Sequence, residues 1–319
     1  MDSTGLAVPD LAVVIVSYNV RDLLRRCLAS IDAAIGGLQV EVHVVDNASS
    51  DASAATVADE FPAVHLHEPG VNRGYAWSNN LALREVRRRH GAWPRYVLLL
   101  NPDTELPPGS LAEMVAFLDA RPEAGVAGPR LLKTNGDLDL ACRRSFPSPE
   151  ISLYRMAGLS RLFPRSQRFG RYNLTYLDQT DVYEVDSVVG AFMLVRGSLL
   201  DDVGLLDETY FMYGEDLDWA FRIKSHGWKV YYNGRVIVYH HKGASSKQRS
   251  FRSNRAFYHA MLVFFDKHYA ATTSLPIRLL VVAGIYLAAV MALARAALSG
   301  AGRGARRSDR RQLASEART

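Results

Sequence analysis

Cysteine is nearly absent: Cys27 and Cys142 are far apart and lack the paired spacing of a thiolate metal site. Two isolated thiols fit a reducing compartment. No G-x-G-x-x-G follows the first apolar run and no G-x-x-x-x-G-K-[ST] occurs anywhere, so a dehydrogenase or P-loop enzyme is disfavoured. No signal peptide precedes that run. The composition of a disordered chain is also missing. Of 319 residues 48% are hydrophobic, enough to bury a large core.

Charge is biased toward the positive, with 38 Lys and Arg against 33 Asp and Glu and a pI near 9.2. Such a balance suits anionic partners, nucleotides or acidic lipid among them. Much of the excess is local. Arg303, Arg306, Arg307, Arg310 and Arg311 stand in a Gly/Ala/Ser-containing tail (300–319) that reads as disordered, which leaves the body closer to neutral.

The N-terminal half alternates strand with helix. "LAVVIVSYN" (11–19) is a β-branched run of the kind buried on both faces of a sheet, and Leu23, Cys27, Leu28 and Ile31 follow at helical spacing. Further strands are predicted over 40–51, ending in a polar loop, and at 63–69 and 95–105, with helices at 76–90 and 109–120. This alternation predicts a parallel sheet covered on both faces, with ligands beyond the carboxyl ends of the strands. Polar residues cluster at those ends: Ser17, Tyr18 and Asn19; Asp46, Asn47 and Asp51; Asn101, Asp103 and Glu105. A carboxylate such as Asp46 can accept from a ribose hydroxyl or a base N–H, and a second acidic group can hold a divalent metal through hard oxygens. Any one of these residues alone reads as a turn or helix cap. Three clusters at three successive strand ends favour a nucleotide site.

The segments "VVIVSYN", "VVDNASSD", "GVNRGYAWSNN", "LLLNPDTELPPGSL", "VDSVVGAFMLVRGSLLDDVGLLDETYFMYGEDLDWAFRIKSHGWKVYY" and "VYHHKGASS" resemble, in order, the motifs of the family-2 inverting glycosyltransferases. The nearest resemblance is to the rhamnosyltransferase-like branch that builds bacterial cell-wall and surface polysaccharides, over residues 11–270. It implies an α/β GT-A fold, Rossmann-like, with a mostly parallel central sheet flanked by helices. A catalytic domain over 11–245 would divide into a nucleotide-binding half (11–130) and an acceptor-binding half (131–245), after a tail over 1–10.

Carried over residue by residue, the resemblance assigns Ser17, Tyr18, Asn19 and Asp46 to the base and ribose of a dTDP- or UDP-linked sugar donor. The acidic metal motif, D-x-D in the family, reads Asn101-Pro102-Asp103 here. Asn101 keeps a ribose-binding amide but brings no charge, so a magnesium or manganese ion would rest on Asp103 and a further ligand, either Glu105 or, preferably, His240 or His241. Asn72 and Arg73 are assigned to the donor, with Arg73 either toward phosphate or in a buried structural turn. Asn80, Gly190, Ala191 and Trp219 are assigned to the sugar or acceptor. "SVVGAFMLVR" (187–196) reads as a strand with Gly190 at its middle. Asp216 is the implied general base and Glu215 its acceptor-binding or orienting partner, both at the start of a helix whose dipole favours an anion. Asp218 and Arg222, four apart, read as a surface pair. Lys242 or Arg249, in a small-residue loop, would neutralise diphosphate. Residues 143–182 read as an acceptor-facing insertion.

The Q-x-x-R-W motif of processive family members is missing, which favours single-sugar transfer. The acceptor expected is a glycan or a polyprenyl-diphosphate-linked sugar; nucleic acid is not an expected partner. Residues 246–299 read as C-terminal helices. Between Arg278 and Arg295 lie 16 uncharged residues, about 24 Å of helix, just enough to span with snorkelling arginines, or else to lie on the inner membrane or form a homodimer. The cytoplasmic face of a bacterial inner membrane is the expected location. Alternatives are a non-catalytic nucleotide-sugar-binding scaffold or, less favoured, a sugar nucleotidyltransferase, whose glycine-rich signature is missing after the first strand.

Overall fold

The computed structural model describes residues 7–241 and 251–294. Lys242 and Arg249 of the expected diphosphate loop, and the basic tail, lie outside the described residues. The chain divides into two compact units, one ending at Ser246 and the other beginning at Lys247.

The first unit runs β1 (Leu11–Ser17), α1 (Arg21–Ala34), β2 (Val40–Asp46), α2 (Ser53–Glu60), β3 (His65–His67), α3 (Tyr75–His90), β4 (Tyr96–Leu100), β5 (Thr104–Glu105) and α4 (Ser110–Asp119). It continues through β6 (Ala124–Leu132), α5 (Pro149–Met156), α6 (Leu159–Leu162), β7 (Val182–Val185), β8 (Phe192–Arg196), α7 (Leu200–Val203), α8 (Glu215–Ser225) and β9 (Lys229–His240). The sheet order is β3-β2-β1-β4-β8-β6-β9-β5, with β7 also paired to β9. Every residue of β1 and β4 is buried, as uninterrupted apolar runs require when both faces are covered. Leu24, Cys27, Leu28 and Ile31 of α1 pack into the same core.

The first half of the sheet is parallel, as expected, from β3 through β4. Beyond β4 it becomes mixed, because β8 runs antiparallel to both β4 and β6, and β6 then pairs parallel with β9. Two local expectations need correction. The predicted 95–105 strand breaks at Asn101-Pro102-Asp103, where the Thr104 amide donates back to the Asn101 carbonyl at 3.2 Å, and Thr104–Glu105 joins β9 instead. Gly190 lies before β8 and not at the middle of a strand.

The second unit contains α9 (Phe251–His268) and α10 (Leu275–Ala294). Among the described residues, α10, of 20 residues, is the helix long and apolar enough to cross a membrane, with mean hydropathy 2.3 over its most apolar 18. Leu275, Leu279, Leu280, Leu287 and Val290 are exposed along it. Arg278, the charge near its start, pairs with Asp266 at 3.0 Å.

Candidate active site

Ser17 and Asp46 end β1 and β2 and stand opposite one another in the parallel register. One Asp46 oxygen accepts from the Ser49 amide at 2.7 Å; the other, and the Ser17 hydroxyl, are buried without a partner among the described residues. Buried polar atoms are rarely left unpaired, so this end of the sheet offers hydrogen-bonding capacity to a ligand. Tyr18 beside them is exposed. Asn19 has a different job. Its side chain accepts from the Ser50 amide at 2.7 Å, and Asp51 accepts from the Arg21 amide at 2.9 Å, so these residues tie the two strand-end loops together.

The Asn101-Pro102-Asp103 turn is pinned to the end of β9. Thr104 pairs with His240 in the sheet, and the His241 amide donates to the Asp103 carbonyl at 2.7 Å. This brings His240 Nε2 within 3.1 Å of Asp103 Oδ1, while His240 Nδ1 lies 2.9 Å from Asp139 Oδ2. Burial by itself lowers an imidazole pKa; the hydrogen bonds and charges of Asp103 and Asp139 outweigh it and raise His240 to about 9. His241 turns elsewhere, to Glu105 at 2.9 Å and Thr134 at 3.2 Å. Of the two adjacent histidines, His240 is the one beside Asp103. A carboxylate oxygen and an imidazole nitrogen side by side, with a second carboxylate on the far ring nitrogen, form a donor set suited to a divalent ion.

The other acids come from the start of α8. Tyr213 and Gly214 both take positive φ, 70° and 86°, and turn the chain so that Glu215 and Asp216 begin the helix. Asp216 Oδ2 accepts from Arg144 at 2.8 Å and from the Gly190 amide at 3.0 Å; its Oδ1 accepts from the Leu217 amide at 2.7 Å. Glu215 is also buried, and its Oε2 has no partner among the described residues. Burial first, and then the neighbouring Asp216 charge, pushes the Glu215 carboxyl up to about 8. The two carboxyl groups thus have opposite surroundings: one ringed by donors, the other dry.

A hydrogen-bond chain joins the two acidic clusters. Gly190 donates to Asp216, and its carbonyl accepts from the Tyr75 hydroxyl at 2.9 Å. That hydroxyl also lies 3.2 Å from Asn101 Oδ1, and the Asn101 amide donates to the Ala191 carbonyl at 3.0 Å. Desolvation, reinforced by Glu215, Asp216 and Asp103, holds the Tyr75 phenol well above its usual range. Asp216 and Asp103 are therefore both near the Tyr75 hydroxyl, and Asp103 follows the carboxyl end of β4.

Not all of the expected site residues contribute side chains to this site. Trp219 is fully buried and donates to the Gly204 carbonyl at 2.9 Å, which makes it a core residue. Asn80 donates to the Leu206 carbonyl at 2.8 Å and accepts from the Leu206 amide at 3.1 Å, bracing that loop. Asn72 and Arg73 are exposed; Asn72 accepts from the Gly74 amide at 3.0 Å, and the Arg73 guanidinium lies 4.7 Å from the centre of the Trp77 ring. Asp218 and Arg222 do pair, at 2.9 Å, but Asp218 is fully buried, so the pair is internal and not on the surface. Three residues that sequence reasoning passed over are central: Arg144, Asp139 and Tyr75. Arg144 lies 72 residues from its partner and Asp139 101 residues from His240, so no local pattern announces either.

Solved structures with this architecture include a mannosyltransferase from Pyrobaculum calidifontis in complex with GDP-Man and Mn2+, with TM-score 0.53 and 20% identity over 93% of this chain and 75% of that one. S. aureus TarS residues 1–349 match with TM-score 0.52 and 16% identity over 90% of this chain and 73% of that one. The fold is that of the GT-A glycosyltransferases. The model described as "Glycosyltransferase like family 2" matches residues 9–259, and the chain belongs to that family. Among curated relatives, the N-acetylglucosaminyl-diphospho-decaprenol L-rhamnosyltransferase of Mycobacterium tuberculosis is 31% identical over 81% of this chain and 85% of its own length. The rhamnosyltransferase WbbL of Escherichia coli K12 is 25% identical over 79% of this chain and 90% of its own.

Proposed function

We propose that this glycosyltransferase moves one rhamnose, with inversion, from a dTDP- or UDP-linked donor to a polyprenyl-diphosphate-linked sugar at the cytoplasmic face of a bacterial inner membrane. The observation that supports the reading is the hydrogen-bond chain from Asp216 through Gly190 and Tyr75 to Asn101, two residues before Asp103, which is consistent with a base and a metal-binding acid acting on one substrate. The choice of sugar and acceptor rests on the likeness to the two rhamnosyltransferases.

Ser17 and Asp46 bind the nucleoside through their unpaired oxygens. Asp103 and His240, the latter after releasing its Nε2 proton to solvent, would hold a magnesium or manganese ion, with Asp139 orienting the imidazole; such an ion would offset the negative charge of the diphosphate. Asp216 is the general base. Its three donors leave one lone pair on Oδ1, which takes the proton of the acceptor hydroxyl as that oxygen bonds to the anomeric carbon. The bond from that carbon to the diphosphate oxygen breaks on the opposite face, and the electron pair leaves with the nucleotide. Glu215 holds its proton at neutral pH and donates to a sugar or acceptor oxygen, so that two adjacent carboxyl groups take different roles. Arg144 positions Asp216.

Two features support a membrane site. One is α10; the other, in the catalytic unit, is the exposed Leu153, Met156, Leu162 and Phe163 set among Arg155, Arg161 and Arg165. The test incubates purified protein, a divalent ion and a polyprenyl-diphosphate-GlcNAc acceptor with a panel of nucleoside diphosphate sugars. Transfer of one rhamnose with inverted anomeric configuration supports the reading; preference for another sugar, retention, or repeated addition overturns it.

A further inference from the structure

Four of the chain's nine histidines gather around a single carboxylate, upstream of Asp46 on β2. Glu41 and His43 are two apart on β2 and so share a face of the sheet. His43 stands opposite His65 in the register, and His67, two further along β3, lies on that same face. His90 reaches them from the last turn of α3.

The distances are short. His43 Nε2 is 2.7 Å from Glu41 Oε1, and His65 Nε2 is 3.4 Å from the same oxygen. His90 Nε2 lies 2.7 Å from Glu41 Oε2, and His43 Nδ1 lies 2.9 Å from His67 Nε2. Arg89 Nε is 3.2 Å from Glu41 Oε1. The His43 side chain is fully buried, whereas that of His65 is 34% exposed and opens the cluster to solvent. None of these residues has a role in the site described above.

We propose that Glu41 Oε1, His43 Nε2 and His65 Nε2 form a binding site for one borderline divalent transition ion, zinc being the type, with His67 and His90 as orienting partners. One ligand atom from each of the three residues can be chosen so that all lie within 4.8 Å of one another. Imidazole nitrogens with one carboxylate oxygen suit zinc, whereas magnesium and calcium favour all-oxygen sets. Tetrahedral bonds of about 2.0–2.1 Å place ligand atoms roughly 3.3 Å apart. Glu41 and His65 already meet that spacing; His43 and Glu41 sit at hydrogen-bond distance and must separate by roughly 0.6 Å.

Proton accounting closes without an added acid or base. As hydrogen bonds alone, Glu41 accepts from His43 Nε2–H and His90 Nε2–H, so His43 Nδ1 accepts from His67 Nε2–H. When the ion takes His43 Nε2, the His43 proton resides on Nδ1 and donates to His67 Nε2, whose own proton moves to its Nδ1. The His43–His67 bond reverses direction and becomes the outer hydrogen bond that a ligating histidine ordinarily makes. His90 continues to hold the second Glu41 oxygen. The Arg89 guanidinium must swing outward, and water on the His65 side completes the coordination. Such an ion would fasten the three-residue edge strand β3 and the end of α3 to β2, the strand whose far end carries Asp46.

The test uses tag-free, full-length protein freed of metal with a chelator and titrated with Co2+, read by visible absorption, and with Zn2+, read by thermal unfolding. Asp103→Asn/His240→Gln serves as the reference, because it removes the ligands assigned to the active site. Expected is about one equivalent of tetrahedral cobalt in that reference, and a rise of about 5 °C in melting temperature at Zn2+ a hundredfold above its Kd. His65→Gln, at a partly exposed position, and Glu41→Gln, which keeps the shape of the side chain, should each weaken the cobalt site at least tenfold and abolish the thermal shift. No cobalt signal in the reference, or an undiminished signal in either variant, overturns the proposal.

Discussion

Arg144 and Asp216 meet at 2.8 Å with both side chains more than nine-tenths buried. The Arg144 terminal nitrogen also donates to the Val188 carbonyl at 2.5 Å and lies 3.1 Å from the Ser187 hydroxyl. A charge pair out of water costs more than it returns unless further hydrogen bonds satisfy it, and these supply that support. The result is a carboxylate fixed in direction by three donors, with one Oδ1 lone pair unused among the described residues.

Arg144→Met should leave Asp216 buried without its counterion and destabilise the protein by about 3–5 kcal/mol in urea unfolding. Asp216→Asn should reduce transfer about 10²–10⁴-fold while calorimetry shows donor-nucleotide affinity unchanged. Transfer at the wild-type rate in Asp216→Asn would rule that residue out as base.

Glu215 makes stability depend on pH in a defined direction. Its folded pKa, about 8, lies above the ordinary 4.5 of a glutamate, so the folded state keeps a proton that the unfolded chain has lost. Stability relative to Glu215→Gln is therefore fully present below the unfolded pKa and declines as pH rises to about 8, at up to ~1.4 kcal/mol per pH unit. His240 titrates in an overlapping window, which is why the difference between wild type and the glutamine variant is the quantity to measure. A difference that stays flat from pH 5 to 8 contradicts the dry environment.

Asp103→Asn and His240→Gln should each raise the Mn2+ concentration needed for half-maximal transfer, and Asp139→Asn should raise it about 10–100-fold by disorienting the imidazole. His241→Gln should leave it unchanged, because that ring faces Glu105 and Thr134.

Gly74 sits at φ 94°, and a methyl group there would strike the Phe211 carbonyl oxygen, which accepts from the Tyr75 amide at 2.7 Å. Gly74→Ala should cost at least about 2 kcal/mol in thermal unfolding and lower kcat by displacing the segment that leads into Glu215.

Leu280→Glu with Leu287→Glu places two charges on the exposed apolar surface of α10. Flotation with anionic vesicles should show the variant released and the wild type bound. Equal binding would transfer the membrane role to other surfaces.

Much of this molecule is written in short-range pattern. A β-branched run marks β1, an uninterrupted apolar run marks β4, helical spacing marks α1, and Gly214 before three acids marks the start of α8. Ordered motifs, each weak alone, identify the family over most of the chain. The placement of Gly190 failed because a glycine in an apolar run reads alike as strand interior or strand approach; its amide was needed for Asp216. Trp219 failed for a related reason: an aromatic residue beside clustered acids can face ligand or core, and local spacing does not distinguish them.

What the amino-acid order alone determined is the set of elements, their alternation and which chemistries are available at their ends, because propensity, periodicity and turn preference act over a few residues. Which side chains meet was decided by tertiary structure. Antiparallel insertion of β8 brings Gly190 to Asp216, the short pairing of β5 with β9 sets His240 rather than His241 beside Asp103, and the crossing of distant segments supplies Arg144 and Asp139. Contacts between groups 70 to 140 residues apart depend on sheet register and on burial that raises the cost of every unpaired charge, and neither is a property of any local stretch of sequence.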